Sequence, residues 1–193
     1  MKKAHFEDGI AMEKFLYWID NNAGEGVTEY DAMQVLDEYR AEIEGYHSLS
    51  FGTISAYGPS AALPHYMTPA EGSLELQRCG LYLVDSGGQY DFGTTDITRT
   101  VPLGECSQEE MLDYTLVLKA HIRCAMAVLP AGSFGIQLDA ISRDCLWRAR
   151  KNFFHGLGHG VGMFLGVHEC PPNVRSRFID SHMLPGMLFS DEP

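Results

Sequence analysis

The feature that most constrains this chain's fold is a change of hydrophobic period that occurs twice in the same order. Over residues 3–21, Phe6, Ile10, Phe15, Leu16 and Ile19 recur at near-helical spacing, and Gly24 supplies a stop. Thr28 then caps a second helix, with Asp31 three residues on in the manner of a capping box. Ala32, Val35, Leu36, Tyr39 and Ile43 mark its buried face, and Gly45 ends it. From about Ser48 the pattern turns β-rich, with runs at 49–57, 80–85, 89–92 and 96–101 separated by Gly58-Pro59, Pro69 and Gly87-Gly88. Ser107 with Glu110 opens a third helix, from 108 to about 128, and 136–150 reads as its partner. After Lys151 the chain is Gly-rich and β-like again. Two helices then strands, repeated, predicts an α+β chain of two similarly built halves, with helices covering one face of a mainly antiparallel sheet. Met187-Leu188-Phe189-Ser190 reads as a strand entering the core with only Asp191-Glu192-Pro193 after it, so the expectation is a domain cut short.

Charge and composition remove several classes of function. Fourteen Lys and Arg against 26 Asp and Glu give a net charge of −12, which argues against nucleic acid or an anionic membrane surface as a partner. No apolar run approaches the roughly 18 residues a membrane span needs. The opening Met1-Lys2-Lys3-Ala4-His5-Phe6-Glu7-Asp8 is briefly basic and then acidic, so it fails as a signal peptide, and a cytoplasmic location is expected. The five cysteines stand far apart in the sequence and are expected to be free thiols.

Two stretches carry chemistry. In Val84-Asp85-Ser86-Gly87-Gly88-Gln89-Tyr90-Asp91-Phe92-Gly93-Thr94-Thr95-Asp96-Ile97-Thr98-Arg99-Thr100, Asp85 closes one strand and Asp96 opens another, with a glycine-rich hairpin between them. Converging carboxylates repel unless a cation lies between them or one is protonated, whereas turn aspartates simply bind backbone amides; spacing alone leaves both readings open. The second stretch is Phe153-Phe154-His155-Gly156-Leu157-Gly158-His159-Gly160-Val161-Gly162-Met163, followed by Val167-His168-Glu169-Cys170. Its glycines let backbone pass close to a ligand, yet any one of its histidines alone fits a hydrogen-bonded structural role. Asp85, Asp96, His159 and Glu192 together make an oxygen-rich set with one imidazole, which favours manganese, magnesium or cobalt over structural zinc.

Five motifs in order, Asp85-Ser-Gly-Gly-Gln-Tyr, Gly93-Thr-Thr-Asp96-Ile-Thr-Arg-Thr100, His155-Gly-Leu-Gly-His159-Gly-Val-Gly162, His168-Glu169 and Ser190-Asp-Glu192-Pro193, resemble the catalytic domain of the aminopeptidase P (Xaa-Pro aminopeptidase) family. The resemblance covers essentially the whole chain. It implies the pita-bread fold shared with methionine aminopeptidase, prolidase and creatinase, with two pseudo-symmetric halves around a curved, mainly antiparallel sheet whose last strands are missing here. It implies two divalent metals, manganese first with zinc or cobalt as alternatives, and hydrolysis by a hydroxide bridging them. On that resemblance Asp85 binds one metal, Asp96 bridges both, and His159 with Glu192 holds the second. His65, in Leu63-Pro64-His65-Tyr66, matches the histidine near the substrate amine; His155 contacts substrate, and His168 assists proton transfer or stabilises the tetrahedral intermediate. The implied substrates are peptides with proline at position two, and the full-length protein is a candidate homodimer. Three departures stand out: the family's second bridging glutamate lies beyond Pro193, the N-terminal domains of larger members are absent, and Asp191 stands where asparagine is more usual. These 193 residues alone are therefore expected to be inactive. The alternatives are a prolidase acting on Xaa-Pro dipeptides, a creatinase-like enzyme that works without metal, and a metal-free peptide-binding module on a retired peptidase fold.

Overall fold

Helix α1 (Lys2–Asn22) and helix α2 (Glu29–Ala41) form where the sequence places them, and Thr28 with Asp31 closes a complete capping box on α2. The computed structural model describes residues 1–193 and divides into two compact units. The first unit comprises Met1–Ser107 with Met163–Val167. After α2 it carries strands β1 (Tyr46–Leu49), β2 (Ile54–Tyr57), β3 (Leu81–Ser86), β4 (Gly88–Tyr90), β5 (Gly93–Thr94) and β6 (Ile97–Pro102), with a 3-10 turn at Gly58–Ala62. The strands form two antiparallel ladders, β2-β3-β6 and β1-β4-β5. The expected strand at 49–57 is thus broken: Leu49 ends β1, Ile54–Tyr57 is β2, and the two serve different sheets. The chain turns between them because the Ser50 amide donates to Gly87 O at 3.0 Å and its hydroxyl to Thr95 O at 2.8 Å.

Met12, Phe15 and Ile19 of α1 and Ala32 and Leu36 of α2 pack on Tyr82 and Val84 of β3 and Ile97 of β6. Each large apolar side chain buried here contributes about 1.5–3 kcal/mol. Phe6 and Ile10 depart from expectation, at 69% and 45% exposed. The buried stripe of α1 runs instead through Ala4, Asp8, Ala11, Met12, Phe15 and Ile19, because Asp8 turns inward to Arg40 of α2 at 2.7 Å. The segment Met163–Val167 lies against this unit: the Phe164 amide donates to Thr94 Oγ1 and the Gln89 amide to Leu165 O, each at 2.8 Å, and the Phe164 ring meets His47 edge-on.

The second unit comprises Gln108–Gly162 with His168–Pro193. Helix α3 (Gln108–Ala125) and helix α4 (Gly135–Arg148) pack through Leu116, Ala120 and Leu146, while Cys124, Leu138, Leu157 and Val174 form a second apolar cluster. Helix α3 ends three residues early, tightening from Met126 N→Ile122 O to Ala127 N→Cys124 O as the chain approaches Pro130. Strands β7 (Gly158–Gly160) and β8 (Glu169–Val174) pair antiparallel. The expected strand at 187–190 makes one isolated bridge, Phe189 to Gly160. It nevertheless runs extended beside β7, with Ser190 N donating to His159 O and Glu192 N to Leu157 O, each at 2.9 Å. All five cysteines are free thiols, and no helix is long and apolar enough to cross a membrane.

Candidate metal centre

In the first unit the two acids arise from one hairpin. Asp85 is directly opposite Thr98 in the β3–β6 ladder, and Thr98 Oγ1 donates to Asp85 Oδ1 at 2.7 Å. The two-residue strand period puts Asp96 on the same face as Thr98, so Asp85 and Asp96 are diagonal neighbours on the side away from buried Val84 and Ile97. Thr95, the residue before Asp96, is held from three sides. It donates an amide to Gly88 O at 2.9 Å, receives the Gly88 amide on Oγ1 at 2.8 Å, and bonds Asp8 Oδ2 through the same hydroxyl. His65, also in this unit, stands exposed in the turn after the 3-10 segment.

In the second unit the donors sit on two neighbouring extended segments. His159 is 8% exposed at the centre of β7, and its Nε2 is 3.1 Å from Glu192 Oε1. Its Nδ1 lies 2.9 Å from Gly160 O. A carbonyl only accepts, so Nδ1 carries a proton. Nε2 faces Glu192, where its own proton donates to the carboxylate when the ring is doubly protonated and where a cation could take that proton's place. The approach of residues 188–192 to β7 requires glycine at 158, where a Cβ would collide with Ser190 O, and the approach of β8 requires it at 160, where a Cβ would collide with Glu169 O. Ser190 is two residues before Glu192 on the same face. Its hydroxyl donates to Glu192 Oε1 at 2.5 Å and receives the His159 amide at 3.0 Å. Burial pushes the Glu192 carboxyl up, but the hydrogen bonds from His159 and Ser190 outweigh it and leave the group below the usual carboxylate range. Asp191 points the other way, to His121 Nδ1 of α3 at 3.0 Å, and burial raises its carboxyl against the pull of that imidazole. The exposed ring of His168 meets the His159 ring edge-on, centroids 4.3 Å apart. His155 is half-buried; its Nδ1 donates to Gly156 O at 2.8 Å and its ring lies 4.8 Å from that of Phe153.

The sequence profile of metallopeptidase family M24 matches residues 1–193. The chain belongs to that family. It is 43% identical over 197 residues to an uncharacterized peptidase of Schizosaccharomyces pombe, covering all of this chain and 33% of that one. It is 40% identical over 198 residues to a probable Xaa-Pro aminopeptidase P of Sordaria macrospora, covering 100% of this chain and 32% of the relative. Among solved structures, the X-prolyl aminopeptidase from Caenorhabditis elegans, a cytosolic enzyme with a di-nuclear active site, matches at a TM-score of 0.94 and 40% identity, over 100% of this chain and 32% of that one. The chain therefore spans about a third of the length of the curated relatives it matches. The likeness gives the α+β pita-bread fold that the motifs predict.

The donors of this M24 chain fit a divalent cation. An imidazole whose Nδ1 proton is committed to a backbone carbonyl presents Nε2 as a ligand, the arrangement that orients metal-bound histidines. A carboxylate kept ionised stands beside it, and two further carboxylates share one strand face in the first unit. Sequence reasoning missed Thr98, Ser190 and His121, which orient Asp85, Glu192 and Asp191. For Ser190 and Thr98 the signal was present: each lies two residues from an acid of the site, on the same strand face.

Proposed function

We propose that the full-length protein is a metal-dependent aminopeptidase that cleaves the bond between an N-terminal residue and a following proline. In this reading Asp85, Asp96, His159 and Glu192 hold two divalent cations, manganese before zinc or cobalt because carboxylate oxygens outnumber the single imidazole. When bound, such cations supply Lewis-acid polarisation of the scissile carbonyl and a water nucleophile at neutral pH. The chain's own residues do the rest. Asp85 and Asp96 attract the substrate's α-ammonium, His65 lies near that amine, and His155 contacts the peptide. His168 donates a hydrogen bond to the developing oxyanion or passes a proton. The proline nitrogen carries no N–H, so it must receive a proton to leave, and an imidazole beside the reacting centre is the group suited to supply it. The reading also takes the protein as cytoplasmic, as the Caenorhabditis elegans relative is, and as a candidate homodimer.

The observation that carries the proposal is the His159–Glu192 pair, 3.1 Å apart, with the histidine's other nitrogen tied to Gly160 O. The test is release of the first residue from Xaa-Pro tripeptides by the protein at its full encoded length, with manganese and after chelation. Manganese-dependent release is expected. Asp96→Ala should lose at least about 100-fold, since removing even an outer-shell partner of a metal ligand costs 10–100-fold. Metal-independent or absent release from the folded protein would overturn the reading, and turnover of dipeptides alone would reassign it to a prolidase.

A further inference from the structure

Between the end of α4 and the start of β7 the chain has no ladder of its own, so its carbonyls need other partners. Arg143 of α4, 1% exposed, supplies them. Its Nε donates to Asp139 Oδ2 at 2.7 Å, one helical turn back. Nη1 donates to Asn152 Oδ1 at 3.2 Å and to Phe153 O, and Nη2 to His155 O at 2.7 Å. The guanidinium carbon also lies 3.6 Å over the Phe153 ring. A planar fork held by Asp139 and stacked on an aromatic ring has little freedom left, and whatever it grips inherits that rigidity. What it grips is the backbone of His155 and of Phe153, whose ring lies against the His155 imidazole. The imidazole's remaining rotation is fixed by its Nδ1–H bond to Gly156 O.

We propose that Arg143 is a positioning residue for substrate binding: through the carbonyls of Phe153 and His155 it sets the direction in which the His155 imidazole meets the peptide. This rests on the reading above that His155 contacts substrate. A lysine at 143 keeps the charge beside Asp139 but cannot serve four acceptors in one plane.

The test uses the full-length protein, with steady-state kinetics on an Xaa-Pro tripeptide and histidine-resolved NMR of the imidazoles. Arg143→Lys is expected to raise KM about tenfold with a much smaller change in kcat, the size of one lost charge-assisted hydrogen bond. Its His155 resonances should shift and broaden while those of His182 stay in place. Asn152→Ala, which removes one exposed acceptor and leaves the buried charge pair intact, should move both readouts the same way by a smaller amount. Arg148→Met, on the same helix but bonded to Asp144, should behave as wild type. A folded Arg143→Lys protein with unchanged KM and unchanged His155 resonances overturns the proposal. So does a rate loss that merely tracks the folded fraction. If Arg143→Lys fails to fold, Asn152→Ala decides by the same criteria. If the wild type cleaves no Xaa-Pro peptide, the functional reading fails separately, and the His155 resonances still decide whether Arg143 orients that ring.

Discussion

Each unit buries an arginine–aspartate pair that holds a segment bearing one of its candidate site residues, Asp96 in the first and His155 in the second, and the two pairs are wired in opposite ways. In the first unit the acid is the hub. Asp8 of α1 takes Arg40 Nε on one oxygen and the Thr95 hydroxyl on the other, and Thr95 leads directly into Asp96. Neither Nη of Arg40 has a hydrogen-bond partner in the protein. In the second unit the base is the hub: Arg143 serves Asp139, Asn152, Phe153 and His155, while one Asp139 oxygen is left over. A buried charge is tolerated only when partnered, so the hub of each pair is the partner whose loss strands the other.

The asymmetry predicts where each pair breaks. Asp8→Ala should be the most costly change, about 3–5 kcal/mol, because it leaves the Arg40 guanidinium buried without its one acceptor. Chemical denaturation, with hydrogen exchange to localise the loss to α1 and α2, measures it. Asp139→Ala should cost only about 1–3 kcal/mol, since Arg143 keeps three acceptors. Equal penalties for the two would break the comparison.

A smaller contrast lies at the helix starts. Thr28 and Asp31 form a reciprocal box on α2, whereas at α4 only the Phe134 amide is caught, by Gln137 Oε1 at 2.7 Å. Thr28→Ala should therefore cost about 1 kcal/mol at neutral pH. The side-chain and then the backbone hydrogen bond from Thr28 hold the Asp31 carboxyl below its ordinary value. A carboxyl lowered in the folded state stabilises above its unfolded pKa, and that contribution is lost as pH falls through the depressed folded value. The Thr28→Ala penalty should thus shrink on acidification, while any penalty from Gln137→Ala, a neutral amide, should not. Thermal unfolding across acidic pH checks both.

Much of this architecture is legible in the sequence because it is local. The helices follow from period and caps, and the five motifs carry every candidate ligand. What escapes is long-range choice. Nothing near Leu49–Tyr57 in sequence says that Leu49 pairs with β4 and Ile54–Tyr57 with β3, since the ladder partners lie 25–39 positions away. The hubs escape for a different reason. Arg40 and Arg143 occupy ordinary helical positions, and arginine is so seldom fully buried that composition assigns both to the surface. Only the inward turn of Asp8 and of the 152–155 backbone reveals them.

The short stretch Met163–Val167 is encoded amid the second unit yet packs with the first, where it meets Thr94, Gln89 and His47. The polypeptide thus changes allegiance three times, and no single scission frees one half intact. Any chimaera that exchanges halves between relatives must carry these five residues with the body they clasp, not with their neighbours along the gene.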